Sequence, residues 1–268
     1  MCGLTGIILG NTHRSKEDYK ELRDTFTSMF QMSEERGHHA SGIASMTKYG
    51  VSSLFKLPTP PSMMSKLYEF RNILNAMSDD TTAVIGHSRW RTVGSETVNK
   101  NNQPIVAGNI LGTHNGTIKN ATQLFTKFSL KRYAEVDSEI LFRMADASLK
   151  DGVVDTILFK KYLSECEGSL SCVFVSKLDP SNIYILKGDK PLSLFYSERL
   201  QAILYASMRD YIIESVDDLM DWVELRMPED TLFQFNFNNL KSVGVDSFSF
   251  RKLTVQTSIK KSKKTFVF

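Results

Sequence analysis

The chain has 268 residues, of which 41% are hydrophobic, 24% charged and 10% aromatic, with only 15 Gly and 7 Pro. That balance excludes collagen-like, low-complexity and disordered chains, and it supplies enough apolar material for a sizeable core. No apolar run approaches the ~20 residues of a membrane-spanning helix. The opening Met1-Cys2-Gly3-Leu4-Thr5-Gly6-Ile7-Ile8-Leu9 lacks the basic flank and the apolar length of a signal peptide. A cytoplasmic protein, with no membrane partner, is therefore expected. Cys2, Cys166 and Cys172 form no disulfide framework, and His13, His38, His39, His87 and His114 show no zinc-type spacing. Neither a metal nor another cofactor is expected. The net charge of +3 is carried by the C-terminal end, where six basic and no acidic residues lie between Arg251 and Phe268. Such an end can meet nucleic acid or an acidic partner. With no arginine cluster and few interleaved aromatics it reads instead as a solvated tail, residues 251–268, following a domain of residues 1–250.

In chain order, residues 2–9 read as a short buried strand ended by Gly10-Asn11. Ser15 and Asp18 form a capping-box pattern, and Tyr19, Leu22, Phe26, Met29 and Phe30 follow at helical spacing to about Glu35. A hairpin over Gly42–Lys48 and Val51–Lys56 turns at Tyr49-Gly50, and one helix is expected near 61–77. Ala83–Ser88 and Asn109–His114 read as strands separated by a polar loop. Helices near 119–128, 138–149 and 153–165 give way to strands at 170–177, 182–187, 192–197 and 202–206, then a short helix around Tyr211. Phe233, Phe235 and Phe237 alternate with polar residues, as on a half-buried strand. No internal repeat or Pro/Ser linker cuts the chain, which fits one α+β domain.

Three places carry residues suited to chemistry. Cys2 follows the initiator methionine; a small second residue permits removal of Met1, leaving a thiol and a free α-amine on one residue. An α-amine titrating at ~7.7–8.0 is a fitting base for a thiol of pKa ~8.5. The block Ile85-Gly86-His87-Ser88-Arg89-Trp90-Arg91-Thr92-Val93-Gly94 ends a strand with a guanidinium able to grip a carboxylate in two places. Asn115-Gly116 offers a side-chain amide and an unobstructed backbone N–H, the donors an oxyanion hole needs. Each has a plain structural alternative. Asn-Gly is a turn dipeptide, Arg-Trp a stacked surface pair, and Asp137 before a helix an N-cap.

Taken together and in order, the pieces are more specific. Cys2-Gly3-x-x-Gly6-Ile7, Arg36-Gly37-His38-His39-Ala40-Ser41-Gly42, Gly86-His87-Ser88-Arg89-Trp90-x-Thr92-x-Gly94, His114-Asn115-Gly116 and Val136-Asp137-Ser138-Glu139 resemble the class II glutamine amidotransferase domain, one of the N-terminal-nucleophile hydrolases. Glu167-Gly168-Ser169, Lys187-Gly188-Asp189-Lys190-Pro191-Leu192 and Tyr205-Ala206-Ser207 extend the resemblance to about residue 250. It implies a four-layer αββα sandwich of two antiparallel sheets with helices outside. It also implies hydrolysis of the side-chain amide of L-glutamine through a γ-glutamyl thioester on Cys2, with the Cys2 α-amine as base. Asn115 and Gly116 would hold the oxyanion, Arg89 and Thr92 the substrate carboxylate, and Asp137 its ammonium. Trp90 would border the site and Arg36 would support the nucleophile loop, leaving His87 and His114 structural.

The sequence departs from the family pattern at His39, where Asp is usual, and at Val93 and Arg91, where the glucosamine 6-phosphate synthases carry His and Ala. Gly94-Ser95, Asn101-x-Gln103-Pro104 and Asp137-Ser138-Glu139 lean towards the amidophosphoribosyltransferases, whereas Trp90 leans towards the sugar-phosphate branch. No P-loop, phosphoribosyl-diphosphate signature or acceptor domain is recognised, so the ammonia is expected to pass to a separate acceptor protein. A glutamine-binding regulatory module and a γ-glutamyl hydrolase of other substrates are the alternatives.

Overall fold

Gly3–Leu9 (β1) is buried along its whole length, as befits a central strand covered on both faces. The structure, a computed structural model, describes residues 1–252. Ser15 caps the helix Lys16–Met32 (α1), and the capping box with Asp18 is complete, the Ser15 side chain accepting from the Asp18 N–H. The helix ends three residues before the expected Glu35 and tightens into a 3₁₀ turn over Ser33–Glu35. The hairpin of Ala40–Thr47 (β2) and Ser52–Leu57 (β3) turns where expected. Residues 61–77 hold two helices rather than one, Pro61–Met64 (α2) and Tyr68–Asn75 (α3), because Leu67 between them is extended at φ −78°, ψ 150°.

Thr81–Arg89 (β4) is buried throughout. Ile105–Ala107 (β5), inside what the sequence presents as a polar loop, pairs with Ile110–Ile118 (β6), which runs four residues past the expected end. Ala121–Lys127 (α4) and Glu139–Ala147 (α5) follow. A small hairpin of Leu149–Lys150 (β7) and Val153–Val154 (β8) leads to Thr156–Leu163 (α6). The chain then forms Glu167–Ser176 (β9), Asn182–Lys187 (β10), Ser193–Ser197 (β11) and Ala202–Ala206 (β12). Arg209–Ile213 (α7) and Val223–Leu225 (β13) precede the final strands Thr231–Asn236 (β14), Asn239–Ser247 (β15) and Arg251–Lys252 (β16). Tail residues 253–268 lie outside the described residues.

One sheet has the order β13-β11-β12-β1-β4-β2-β3; the other runs β15-β14-β10-β9-β6-β5. Both are antiparallel except that β16 joins β9 in parallel, Arg251 facing Glu167. Side-chain alternation along the strands sorts the apolar residues into three layers. Leu4, Ile8, Ala83 and Ile85 of the first sheet meet Leu111, Val173, Ile183 and Phe235 of the second. On the outer face of the first sheet Ile7, Leu9 and Val84 pack on Phe26, Met29 and Phe30 of α1 and Phe70 of α3. On the far side Leu170, Cys172 and Phe174 pack on Leu141, Phe142 and Phe159. The fold is the four-layer αββα sandwich. Period-two alternation carries Cys2 with Leu4, Arg89 with Ile85, and Asn115 with Leu111. All three therefore sit on the inter-sheet side, where Gly3 pairs Ser88 across β1 and β4. Among the described residues, no helix is long and apolar enough to cross a membrane.

Candidate active site

Cys2 precedes β1 and lies at the edge of the sandwich, half-buried in a cavity of about 300 Å³. Met1, Trp90, Thr92, Asn115, Gly116, Thr117, Ser169 and Lys190 line the same space. Its Sγ lies 3.7 Å from the Trp90 carbonyl oxygen. Burial pushes the thiol above its ordinary value of 9.0; contact with the Trp90 backbone, the N-terminal ammonium and Arg89 pull it back, and Asp137 pushes it further up. A thiol so raised is protonated near neutrality and needs a base to become a nucleophile. Arg36 Nε donates to the Cys2 carbonyl oxygen at 2.9 Å and so fixes the backbone that carries the thiol.

Asn115 and Gly116 do not follow a strand, as their turn-like sequence suggests; they lie inside β6, paired with Ser171 and Leu170 of β9. Gly116 has φ +148°, and a Cβ there would come within 2.0 Å of the Ser169 carbonyl oxygen, so only glycine fits. Asn115 is buried, yet its Nδ2 has no hydrogen-bond partner. Buried donors are rarely left so, and one at a cavity wall is a candidate for a ligand contact. The strand is held just before this point. Gln103 Oε1 accepts from the His114 N–H at 2.6 Å, Gln103 Nε2 donates to the His114 carbonyl at 3.0 Å, and His114 Nδ1 is 2.9 Å from Ser138 Oγ.

Arg89 is buried at the end of β4, outside both cavity linings. Its Nη1 donates to Asn102 Oδ1 at 2.7 Å, and its Nη2 to the Val93 and Gly94 carbonyls at 2.7 and 2.8 Å. Those bonds fold residues 90–94 back over the strand end and leave one Nη1–H and the Nε–H of the fork uncommitted. Gly37 makes the approach possible, since a Cβ there would lie 2.4 Å from the Arg89 carbonyl carbon. Trp90 is 42% exposed at the mouth and meets the His38 and His39 rings edge-on, at 5.1 Å each. Thr92 belongs to the Cys2 cavity and to an adjoining one of about 260 Å³ that also contains Asp137. Asp137 is not an N-cap: Ser138 holds that position, and Asp137 Oδ2 accepts from the Ile118 N–H at 2.6 Å.

Cys2, Trp90, Thr92, Asn115 and Gly116 thus share one cavity, with Asp137 next door and Arg36 and Arg89 behind the walls. Ser169, Lys190 and Thr117 also line the first cavity, and the sequence motifs assign them no role. Two of them sit in Glu167-Gly168-Ser169 and Lys187-Gly188-Asp189-Lys190, so a signal was present. His87 is fully buried and burial lowers its pKa to about 3, so it is neutral. Cys166 and Cys172 are fully buried as small apolar side chains, and burial pushes the Cys166 thiol up to about 12. Among the described residues, no group of three or more His, Cys, Asp or Glu is arranged to hold a metal ion.

No protein-family model matches the chain. It is 27% identical over 215 residues to the 7-cyano-7-deazaguanine synthase of Sulfolobus acidocaldarius, an alignment covering 79% of this chain and 44% of that one. It is 26% identical over 195 residues to the glutamine–fructose-6-phosphate aminotransferase (isomerizing) of Geobacillus kaustophilus, covering 72% of this chain and 30% of the relative. The chain therefore spans less than half the length of these relatives. The glutamine phosphoribosylpyrophosphate amidotransferase of B. subtilis superposes with a TM-score of 0.66 and 20% identity, over 92% of this chain and 49% of that one. In sequence the chain is similar to the class II glutamine amidotransferases, and it has their fold.

Proposed function

We propose that the protein hydrolyses the side-chain amide of L-glutamine, with Cys2 as nucleophile, and delivers the ammonia to an acceptor. The observation that carries the reading is the convergence, in one cavity, of the Cys2 thiol and the unpartnered Asn115 Nδ2 beside Gly116. Removal of Met1 frees the Cys2 α-amine, which takes the thiol proton as Sγ bonds to the amide carbon. The oxygen that becomes negative is held by Asn115 Nδ2 and the Gly116 N–H. The carbon–nitrogen bond then breaks, the proton passes from the α-amine to the departing nitrogen, and ammonia leaves. Water adds to the thioester, and glutamate is released with the thiol restored.

Selection for glutamine over a simple amide comes from the two charges at the other end of the substrate. Thr92 contacts the carboxylate, with the Arg89 guanidinium behind that wall supplying the positive charge; Asp137, in the adjoining cavity, binds the ammonium. The relatives whose names include glutamine support this substrate class. An ammonia acceptor, in a further domain or a separate protein, is the partner proposed. The test is glutamate release from glutamine by the processed chain, abolished in Cys2→Ala. Turnover of γ-glutamyl peptides with no turnover of glutamine would replace this reading with a γ-glutamyl hydrolase. Binding of glutamine without turnover, unchanged in Cys2→Ala, would replace it with a regulatory module.

A further inference from the structure

His39, where the sequence departs from the family pattern, carries a contact that none of the assigned roles uses. Its backbone N–H donates to the Arg89 carbonyl oxygen at 3.1 Å, and its ring Nδ1 accepts from the Arg91 N–H at 3.2 Å. The ring nitrogen thus continues the β2–β4 ladder beyond its last backbone pair, Ala40 with Arg89. An acceptor nitrogen has no proton, so the imidazole is neutral with its hydrogen on Nε2. Protonation adds the proton at Nδ1, the accepting atom, and ends the bond.

What the bond holds is the loop of the candidate site. Residues 90–94 supply Trp90 and Thr92 to the Cys2 cavity, Thr92 and Val93 to the adjoining one, and the two carbonyls that Arg89 grips. We propose that His39 is a positioning residue which clasps the 90–94 loop in its glutamine-binding arrangement only while its ring is neutral, so that acidification through the imidazole range weakens glutamine binding in addition to whatever the α-amine does to the chemistry. This rests on the glutaminase reading above. The titratable and charged groups facing the ring are His38 on its own loop, Arg89 on β4, and Arg91 and Glu96 beyond the strand, the last two paired at 2.9 Å. Burial, His38 and Arg91 all hold the His39 pKa below its ordinary 6.5, and Glu96 opposes them.

The experiment compares KM and kcat for glutamine between pH 5 and 8 in the wild type, His39→Asn and His39→Phe. Asn keeps an acceptor that does not titrate; Phe keeps a ring and removes the acceptor. In the wild type KM is expected to rise about fivefold on acidification, the scale of one lost hydrogen bond, over and above any fall in kcat. In His39→Asn the KM profile flattens at the neutral-pH value, and in His39→Phe it stays high throughout. Wild type and His39→Asn sharing one KM profile would overturn the proposal. Nitrogen-15 NMR gives a readout that needs no turnover. The expected tautomer has its hydrogen on Nε2, with the Arg91 amide shift following the His39 titration and ceasing to do so in His39→Asn. A hydrogen on Nδ1 at neutral pH overturns the clasp. Absence of glutamine turnover at every pH, with the NMR result as expected, counts against the glutaminase reading and leaves the clasp standing.

Discussion

Arg36 Nε bonds the carbonyl oxygen of Cys2 at 2.9 Å while its Nη1 lies 3.2 Å from Met208 Sδ and its buried Nη2 has no partner. A buried guanidinium thus spends its best bond on the backbone of the residue proposed as nucleophile. Arg36→Gln shortens the reach and removes the charge. The expected result is a fall in kcat of about 10- to 100-fold, the scale of one charge-assisted hydrogen bond, with KM for glutamine within about twofold of wild type because Arg36 makes its hydrogen bonds to Cys2 and Met208 and to no proposed substrate-binding residue. Steady-state kinetics at fixed pH checks it; an unchanged kcat would refute the positioning role.

Asn115 and Gly116 separate in their costs. Asn115→Ala removes a buried donor that has no partner in the protein, so folding stability should hold or rise slightly. Activity should fall by about 10²- to 10³-fold in kcat, as expected for one oxyanion donor. Gly116→Ala keeps the N–H but forces a Cβ to within 2.0 Å of the Ser169 carbonyl at a φ of +148°. It should destabilise the fold by about 1–3 kcal/mol. Thermal melts and glutamine kinetics on both variants test the contrast. Loss of stability in Asn115→Ala with normal kcat would reverse the assignment.

Much of this was legible because it is local. The capping box of Ser15 and Asp18 is a four-residue pattern, and it formed as read. The strand limits at Asn182–Lys187 and Ala202–Ala206 follow from short apolar runs. Asn115-Gly116 looked like a turn because the dipeptide favours one. Pairing with β9 on one side, and the conformational freedom of Gly116, carried the strand through it instead. The Gln103 bonds to His114 and the Lys56 Nζ bonds to the Asn102 and Pro104 carbonyls join separate segments, which periodicity cannot register; the closure of the 90–94 loop on Arg89 is local, but it is made by a side chain to irregular backbone and carries no periodic signal. His39 was visible only as a mismatch with the family pattern, with no hint of which backbone group its ring would meet.

The three thiols should differ sharply in reactivity. Cys166 and Cys172 are fully buried, with thiol pKa values raised by that burial, whereas Cys2 opens on the cavity. A glutamine-mimicking diazoketone should give one adduct, on Cys2, and only in chains that have lost Met1, because only those have the free α-amine. Intact mass followed by peptide mapping reads both points at once. An adduct on Cys166 or Cys172, or none on the processed chain, would contradict the proposed nucleophile.

Lys56 gives the molecule a predictable alkaline response. Its Nζ donates to the Asn102 and Pro104 carbonyls at 2.7 and 3.0 Å, and burial with the Arg89 cation nearby lowers its pKa from 10.5 to about 8. Folding therefore disfavours the charged form. Below pH 8 the lysine is protonated in both states and its burial opposes folding. Between about pH 8 and 10.5 the folded chain gives up the proton while the unfolded chain keeps it, so stability from this group rises with pH. Lys56→Met removes that slope. Urea unfolding of both proteins at pH 7.5 and 10 should show the difference moving towards the wild type by no more than about 2 kcal/mol, since water reaching the half-buried ammonium reduces the full linkage value. Titrations elsewhere in the chain are common to the two proteins and cancel in the comparison. A difference moving the other way would mean that the ammonium is stabilised where it lies, and that its bonds to the 102–104 segment outweigh the cost of burying its charge.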